Sequence, residues 1–454
     1  MIGSFSLGEL VPVLDAKLQG EDVSFNTVST DTRSISPGDL FVALRGASFN
    51  GNEYVDAAAA AGAVAAIVDC AGDYPLPSLQ VADTQLALGQ LGAANRERFS
   101  GDLVAITGSV GKTSVKNMLA SILATQGPTL ATPGNLNNEI GVPTTLLQLN
   151  EEHRYAVVEM GAGKAGDVAY LCQLGKPRVG MLLNAMPAHL DGFGSVDGVA
   201  HAKSEIFSTL SANGTAVFLA DSPYAPLWRK VAGSVPQIEF GFADAAVVRA
   251  ESISVSDPMA GTEFVLVTPA GRAPVSLPWP GRHNIANALA AAAAAHSLGV
   301  DLQAIAAGLT TVQLEPGRVG ARRATSGALV IDDTYNANPG SVRAAIDTLA
   351  AADGNRVLIL ADMLELGSIS TDSHREIGEY AAANIDEVWL TGTEVAATAS
   401  GFGSQAHCFE CRDDLIAALS GRFGRQDIVL VKGSRSMGME HVVQALLAEQ
   451  GEVG

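Results

Sequence analysis

The sequence predicts an α/β protein of three domains, in which mostly parallel sheets are covered by helices. The chain has 454 residues, enough for about three domains of ordinary size, each with its own core. Hydrophobic residues make up 47% of it, as in a globular protein. Apolar runs rich in β-branched residues alternate with helical patterns almost throughout, which is typical of parallel strands joined by crossover helices.

The alternating runs fall into three blocks, for which we predict domain boundaries at 1–99, 100–312 and 313–454. The first block is a smaller α/β domain, with strands predicted at 39–44 and 63–68 around a helix at 54–62. In the second block, strands are predicted at 103–106, 155–158, 179–183 and 216–219. The third block is predicted to be Rossmann-like, with strands at 328–331, 356–360, 387–390 and 428–431.

A strand, a glycine-containing turn and a helix predicted at 115–125 follow one another at the start of the second block. The turn consists of Thr107, Gly108, Ser109, Val110, Gly111, Lys112, Thr113 and Ser114. Two glycines let the backbone N–H groups face phosphate oxygens, while Lys112 can reach the β and γ phosphates and Thr113 can bind Mg²⁺. The loop is shorter than the common G-x4-G-K-[ST] form, because its leading glycine is Gly108. We therefore predict a P-loop-type ATPase domain that binds ATP or GTP.

Charge and cysteine usage exclude several classes of function. The 28 basic and 48 acidic residues give a net charge of −20, which repels the phosphate backbone, so we do not expect the protein to bind nucleic acid. The N-terminal residues do not resemble a signal peptide, and the most apolar stretches are shorter than a spanning helix. Four cysteines in so long a chain fit a reducing cytoplasm, and the isolated Cys408/Cys411 pair is interpreted as structural.

Three further side chains are candidates because they follow predicted strands or lie in polar segments. Glu159 comes directly after the strand at 155–158 and precedes a Gly-rich turn, which suits a Mg²⁺ ligand. His189 follows the strand at 179–183, although a single histidine is more often structural. The local sequence around Lys203 indicates a solvated helix start, with the lysine on the surface and paired with Glu205.

The order of these motifs resembles that of the ATP-dependent Mur ligases of peptidoglycan synthesis. The resemblance spans nearly the whole chain and rests on the short phosphate loop and on the segments 134–143, 159–162, 184–192, 203–207 and 281–288. In the third block, the segments 332–341, 361–367 and 432–436 are most similar to those of the members that add D-alanyl-D-alanine (D-Ala-D-Ala) to UDP-N-acetylmuramoyl-tripeptide.

The resemblance implies an enzyme in which ATP phosphorylates the terminal carboxylate of the UDP-linked peptide. The amine of D-Ala-D-Ala then attacks the acyl phosphate and releases phosphate. Lys112 is expected to hold the phosphates, and Thr113 and Glu159 the first of two Mg²⁺ ions. Lys203 is expected to be carbamylated by CO₂ and to hold the second Mg²⁺ together with His189. A cytoplasmic monomer with no membrane span is expected.

The resemblance also assigns residues to the nucleotide. The amides of Asn284 and Asn287, spaced i and i+3, are expected on the adenine side, with a helix cap at Asn284 as the alternative. The nucleotide-contacting residues expected from the third block are Arg318, Asp333, Tyr335 and Asn336, with Asp333 suited to ribose hydroxyls.

Further residues are assigned to the other substrates. Lys432 and Arg435 are expected to counter the negative charge of the intermediates, unless they form a solvated turn. The residues expected on the UDP-linked substrate are Ser29, Thr30, Asp31, Thr32, Arg33 and Asn138. Asn50 and Asn52 depart from the aspartate and histidine frequent at these positions of the family.

Two alternatives remain at this point. One is another amide ligase of the same superfamily, of the third-residue-adding or folylpolyglutamate type, against which the residues of the third block argue. The other is a nucleotide-dependent switch that binds a partner and makes no product. Phosphate release that requires both UDP-tripeptide and D-Ala-D-Ala would exclude the switch.

Overall fold

The computed structural model describes residues 1–46, 48–187, 190–254, 261–313, 317 and 320–448. Within these ranges, an α/β fold of three helix-covered sheets, arranged in chain order, confirms the predicted fold class. No helix of the described residues is long and apolar enough to cross a membrane.

The N-terminal domain is a mixed sheet with a short antiparallel pair of strands beside it. Its strands are β1 (Phe5–Ser6), β2 (Lys17–Gln19), β3 (Ser24–Phe25), β4 (Val28–Ser29), β5 (Leu40–Val42), β6 (Ala65–Val68) and β7 (Ser78–Gln80). Its helices are α1 (Leu7–Leu14), α2 (Val55–Ala61) and α3 (Thr84–Glu97). The sheet order is β2-β7-β6-β5-β4, in which only the β2–β7 pairing is antiparallel among the described strands.

The central domain contains the largest sheet of the described chain. Its strands are β8 (Asp102–Thr107), β9 (Thr129–Ala131), β10 (Tyr155–Glu159), β11 (Val179–Leu182), β12 (Thr215–Leu219), β13 (Gln237–Gly241), β14 (Val248–Ser254), β15 (Thr262–Thr268) and β16 (Gly271–Leu277). Its helices are α4 (Lys112–Ala124), α5 (Gly141–Leu146), α6 (Asp167–Gly175), α7 (Leu190–Phe193), α8 (Val196–Ser208), α9 (Ala225–Ala232), α10 (Arg282–Ser297) and α11 (Leu302–Thr310).

The order of this sheet is β16-β15-β14-β13-β12-β11-β8-β10-β9, parallel from β9 to β14 and antiparallel beyond. Helices α4, α10 and α11 contribute to the core on one face, and α5, α6, α8 and α9 to the core on the other. Residues 288–295 of the Ala-rich α10 are all fully buried. Such a sheet brings the carboxyl ends of β8, β10 and β11 to one edge, where ligands of open α/β sheets bind.

The C-terminal domain is a Rossmann-like sheet with one antiparallel edge strand. Its strands are β17 (Gly320–Arg323), β18 (Leu329–Asp333), β19 (Asn355–Ala361), β20 (Glu387–Thr391), β21 (Ala406–Phe409) and β22 (Asp427–Lys432). Its helices are α12 (Pro339–Ala350), α13 (Ser370–Ala382), α14 (Val395–Phe402), α15 (Arg412–Leu419) and α16 (Glu440–Ala448). In the order β17-β18-β22-β19-β20-β21, the last strand of the chain returns between β18 and β19, so the ends of β18 and β22 share a crevice.

The strands predicted from apolar runs are all present, with ends within two residues of the predictions. Helix α4 begins at Lys112, three residues before the predicted start at Val115. The strands β13 to β16 were not predicted, although β16 alternates exposed and buried positions in the way that indicates a half-buried strand. Pro274 lies within β16, an edge strand, where the missing N–H donor is tolerated.

Candidate active site

The phosphate loop joins the end of β8 to the start of α4. Gly111 caps this 13-residue helix with a φ of +85°, which favours glycine. A Cβ atom at this position would also lie 2.6 Å from Asn287 Oδ1. Lys112 Nζ donates a hydrogen bond to the Gly108 carbonyl at 2.9 Å. The loop thus curls around the helix N-terminus, whose N–H groups form a favourable anion site.

Two pairs of hydrogen bonds from the segment after β11 hold the loop in this shape. Asn184 accepts from the Val110 N–H and donates to the Val110 carbonyl, each at 3.0 Å. The Ser109 hydroxyl donates to the Met186 carbonyl at 3.0 Å and accepts from the Met186 N–H at 2.9 Å. The position of Asn184 at a strand end was visible in the sequence, but this clamping role was missed because it depends on β8 and β11 being neighbours.

Glu159 lies at the end of β10 beside the loop and is only 2% exposed. Its Oε2 atom accepts from the Thr113 hydroxyl at 2.8 Å, and its Oε1 atom accepts from Asn137 Nδ2 at 2.8 Å. Because hydroxyl and carboxylate oxygens are the ligands that Mg²⁺ prefers, the pair Thr113 and Glu159 fits the predicted first metal site. Among the described residues, no group of three or more His, Cys, Asp or Glu side chains could hold a metal ion by itself.

Lys203 lies on α8 and is 2% exposed, so the interpretation as a surface lysine is wrong. Glu205 instead accepts from the N–H groups of Gly166 and Ala169 at 2.8 and 3.1 Å. Burial, aided by the nearby charge of Lys112, lowers the pKa of the Lys203 ammonium to about 7. A substantial fraction of this amine is therefore neutral near pH 7. His189, its predicted partner, lies outside the described residues.

Two cavities meet at the phosphate loop. The larger, of about 730 Å³, lies between the central and C-terminal domains, and the smaller, of about 500 Å³, is closed on one side by α3 of the N-terminal domain. Ser109, Lys112 and Asn137 line both cavities. The predicted residues that also line the larger cavity are Val110, Gly111, Thr113, Ser114, Glu159, Asn284, Asn287, Asp333, Tyr335, Asn336, Lys432 and Arg435. Gly108, Asn138 and Lys203 line the smaller one.

The end of β22 forms the C-terminal wall of the larger cavity. Lys432 is 2% exposed and donates to Asp333 Oδ2 at 2.6 Å and to the Asn336 carbonyl at 2.8 Å. A solvated turn is therefore wrong for Lys432, which holds Asp333 at the end of β18 and Asn336 in the segment that follows it. The exposed guanidinium of Arg435 lies 5.9 Å from the centre of the Tyr335 ring. Arg318 lies outside the described residues.

Asn284 and Asn287 form a short amide chain on α10. The Asn284 amide donates to the Pro280 carbonyl at 2.7 Å and accepts from Asn287 Nδ2 at 3.2 Å. The helix begins at Arg282, after Gly281, so the interpretation of Asn284 as the helix cap is wrong. Asn287 lies against Gly111, which places α10 directly beside the phosphate loop.

The predicted UDP segment lies apart from both cavities. Ser29 ends β4, Thr30, Asp31, Thr32 and Arg33 follow it, and all five line neither of the two. The hydrogen bond from Arg33 lowers the pKa of the Asp31 carboxyl to about 2, and the two groups form an ion pair at 2.6 Å. The segment is thus a locally ordered turn, whose contact with a uridine nucleotide stays a prediction.

Asn50 and Asn52, the two departures from the family pattern, belong to one polar network in the N-terminal domain. Asn50 Oδ1 accepts from the Asn52 side chain at 2.7 Å, which also donates to Asp69 Oδ1 at 2.7 Å. Arg45 adds a bidentate ion pair to Asp69. The two amides therefore order the loop that follows β5 against the end of β6.

Comparisons with known proteins agree with this arrangement. Three family models match the chain. Residues 24–96 match the model described as "Mur ligase family, catalytic domain", residues 106–295 match "Mur ligase middle domain", and residues 317–435 match "Mur ligase, glutamate ligase domain". The chain is 46% identical over 448 residues, 98% of both chains, to UDP-N-acetylmuramoyl-tripeptide–D-alanyl-D-alanine ligase of Escherichia coli. The fold is similar to MurF from Acinetobacter baumannii (TM-score 0.93, 36% identity, 98% of this chain and 99% of that one). It is also similar to MurF ligase from Thermotoga maritima in complex with ADP (TM-score 0.85, 28% identity, covering 93% and 97%).

Proposed function

Because the chain belongs to the Mur ligase family, we propose that it joins D-Ala-D-Ala to UDP-N-acetylmuramoyl-tripeptide in an ATP-dependent reaction of peptidoglycan precursor synthesis. It is an ATP-dependent amide ligase. The observation that carries the chemistry is the meeting of two cavities at one phosphate loop, because the attacking and leaving oxygens of a phosphoryl transfer lie on opposite sides of the transferred group. The identity of the substrates is supported by the full-length likeness to the E. coli ligase.

In this proposal, ATP occupies the larger cavity and the tripeptide carboxylate enters the smaller one beside Lys203. The carboxylate attacks the terminal phosphorus of ATP and ADP leaves. The dipeptide amine then attacks the acyl carbon, expels phosphate and loses one proton. Lys112, which lines both cavities, neutralises charge on the transferred group throughout. Magnesium, when bound, would withdraw charge from the phosphate oxygens. Thr113 and Glu159 supply the oxygen atoms that would hold it.

We assign Lys203 to a second cation site as a carbamate. Carbamate formation joins the neutral amine to CO₂ and releases one proton, so a buried amine with a pKa of about 7 is suited to it. The product is an anion with two hard oxygen ligands in place of a cation that would repel Mg²⁺. His189 is the proposed partner ligand.

The remaining parts of the proposal concern organisation and place. We assign residues 1–99 to the UDP-linked substrate, 100–312 to ATP, and 313–454 to the dipeptide and part of the nucleotide. Separate sheets in these three parts support the division. We place the protein in the cytoplasm, since UDP-linked precursors and ATP are cytoplasmic metabolites. We also propose that it is a monomer. Sedimentation would test the monomer.

A coupled phosphate-release assay tests the function. We expect phosphate release to require UDP-tripeptide and D-Ala-D-Ala together, with single amino acids and glutamate giving little product. Release with glutamate or with a third-position amino acid on the shorter UDP-dipeptide would favour another ligase of the superfamily. ATP turnover that is independent of both acceptors would favour a nucleotide switch.

The acyl phosphate is expected to be trappable before the dipeptide binds. Because the phosphoryl group is transferred first, hydroxylamine should convert the activated UDP-tripeptide to a hydroxamate when ATP is present and D-Ala-D-Ala is absent. We expect slow trapping, since the dipeptide helps to exclude water from the cavity between the domains. Mass spectrometry would detect the adduct, and its formation without ATP would contradict this order of steps.

A further inference from the structure

Lys116 is a buried cation that none of the assignments above uses. It lies on α4, one turn beyond Lys112 and Thr113, and is 2% exposed. Its Nζ atom donates to the Thr132 carbonyl at 2.8 Å and to the Gly134 carbonyl at 3.3 Å. A charged group so deeply buried is costly unless it makes such charge-assisted hydrogen bonds, so this position has a definite structural task.

The carbonyls that Lys116 holds belong to the segment from Thr132 to Glu139, which lies between the two cavities. Asn135 lines the larger cavity, Asn138 and Glu139 line the smaller one, and Asn137 lines both. The helix that starts at the phosphate loop is thereby tied to a wall shared by the ATP and acceptor cavities.

The same segment also orients Glu159 from two directions. The Thr132 hydroxyl accepts from the Glu159 backbone N–H at 2.9 Å, and the Asn137 amide donates to Glu159 Oε1 at 2.8 Å. Lys116 therefore holds the segment that contacts Glu159 twice, at its backbone through Thr132 and at its carboxylate through Asn137, by binding the Thr132 and Gly134 carbonyls. Outer partners of this kind set the direction of a metal-binding carboxylate.

We propose that Lys116 is a positioning residue for phosphoryl transfer, which fixes Glu159 and Asn137 relative to the phosphate loop and so couples the two cavities. The inference rests on the proposed function for its kinetic readout. Lys116 itself lines neither cavity, so it acts through these residues and touches no substrate.

The test is Lys116→Met, which keeps the length of the side chain and removes its donors and charge. We expect kcat to fall by about 10- to 100-fold, the size typical of lost outer partners of a metal site. The Mg²⁺ concentration for half-maximal rate and the KM for UDP-tripeptide should rise. The KM for ATP should change by less than about threefold, because the phosphate loop keeps its own contacts.

Arg96→Met is the matched control, because Arg96 is also a cation that donates to backbone carbonyls. Its partners are Phe99, Gly175 and Lys176, and it lines neither cavity. We expect this variant to lose thermal stability with kcat and Mg²⁺ dependence unchanged. Equal kinetic changes in both variants, or a Lys116→Met protein with normal kcat and Mg²⁺ dependence, would overturn the proposal.

Lys116→Gln, which keeps an N–H₂ donor group without the charge, gives the comparison if the methionine variant does not fold. If neither Lys116 variant folds while Arg96→Met does, Lys116 is a folding residue and the proposal is wrong. If the wild-type protein releases no phosphate, the proposed function has failed. The Lys116 proposal is then decided by titrating Mg²⁺ while ADP binding is measured. The Mg²⁺ concentration needed for half-maximal ADP binding should rise in Lys116→Met and stay unchanged in Arg96→Met.

Discussion

Lys112→Ala should lower kcat by at least about 10³-fold, the largest effect that we expect from any single substitution. The side chain lines both cavities, so it is placed to follow the phosphoryl group from donor to acceptor. Removing it leaves the charge that grows on that group without its nearest protein cation. The measurement is single-turnover phosphate release with UDP-tripeptide and D-Ala-D-Ala at saturation.

The fold should survive this change. Lys112 donates to the Gly108 carbonyl, but the loop keeps the four hydrogen bonds that Asn184 and Met186 make with Val110 and Ser109. We therefore expect a thermal midpoint close to that of the wild type. Turnover near the wild-type level would contradict the assignment of this loop to phosphoryl transfer.

Lys203→Ala should be nearly inactive, and a small carboxylate such as acetate should restore part of the activity. The loss should exceed the roughly 10- to 100-fold that removal of an outer metal partner costs, because the carbamate is proposed as a direct ligand. Acetate would enter the space left beside the smaller cavity and offer the same oxygen atoms. Phosphate release with and without acetate measures the rescue.

Lys230→Ala serves as a control, because Lys230 is an exposed lysine on α9 and should be replaceable without effect. Rescue of Lys203→Ala by a small amine in place of acetate would show that Lys203 acts as a cation.

The dependence of activity on pH gives a second check of the Lys203 assignment. Since the Lys203 pKa is lowered to about 7, its reactive neutral form is lost as the pH falls below 7. Wild-type activity at limiting CO₂ should therefore fall below pH 7. The activity of acetate-rescued Lys203→Ala should not show this fall.

Local sequence patterns were sufficient for the parts of the molecule that depend on neighbouring residues in the chain. The apolar runs that became β8, β10 and β11 are buried on both faces, so they were visible without any partner. The phosphate loop was also predictable, because glycine at 111, a lysine and a hydroxyl residue must be adjacent to surround a phosphate. The edge strand β16 was missed because a strand that is covered on one side shows only a weaker, alternating pattern of apolar residues.

Two of the three candidate residues whose environment was misjudged, Lys203 and Lys432, depend on packing between distant segments. Lys203 looked like a surface lysine, since nothing nearby in the chain shows that α8 packs against β11 and buries it. Asn284 was weighed as a helix cap, but Gly281 has that position, and the Asn284 amide contacts the Pro280 carbonyl before the helix and Asn287 one turn further along it. Lys432 was weighed as part of a solvated turn, but β22 lies beside β18 and pairs it with Asp333.

The sequence by itself determined the fold class, the phosphate loop and the family, because these follow from local spacing and from the order of motifs along the chain. Only the tertiary structure decided that Lys203 is buried with a lowered pKa, that Asn184 clamps the loop, and that Lys116 supports the wall between the cavities. The physical reason is common to all three. Desolvation and hydrogen bonding depend on which segments the fold brings together. Contacts such as those of Lys116 with Thr132, 16 positions away, and of Asn184 with Val110, 74 positions away, leave no local signal in the sequence.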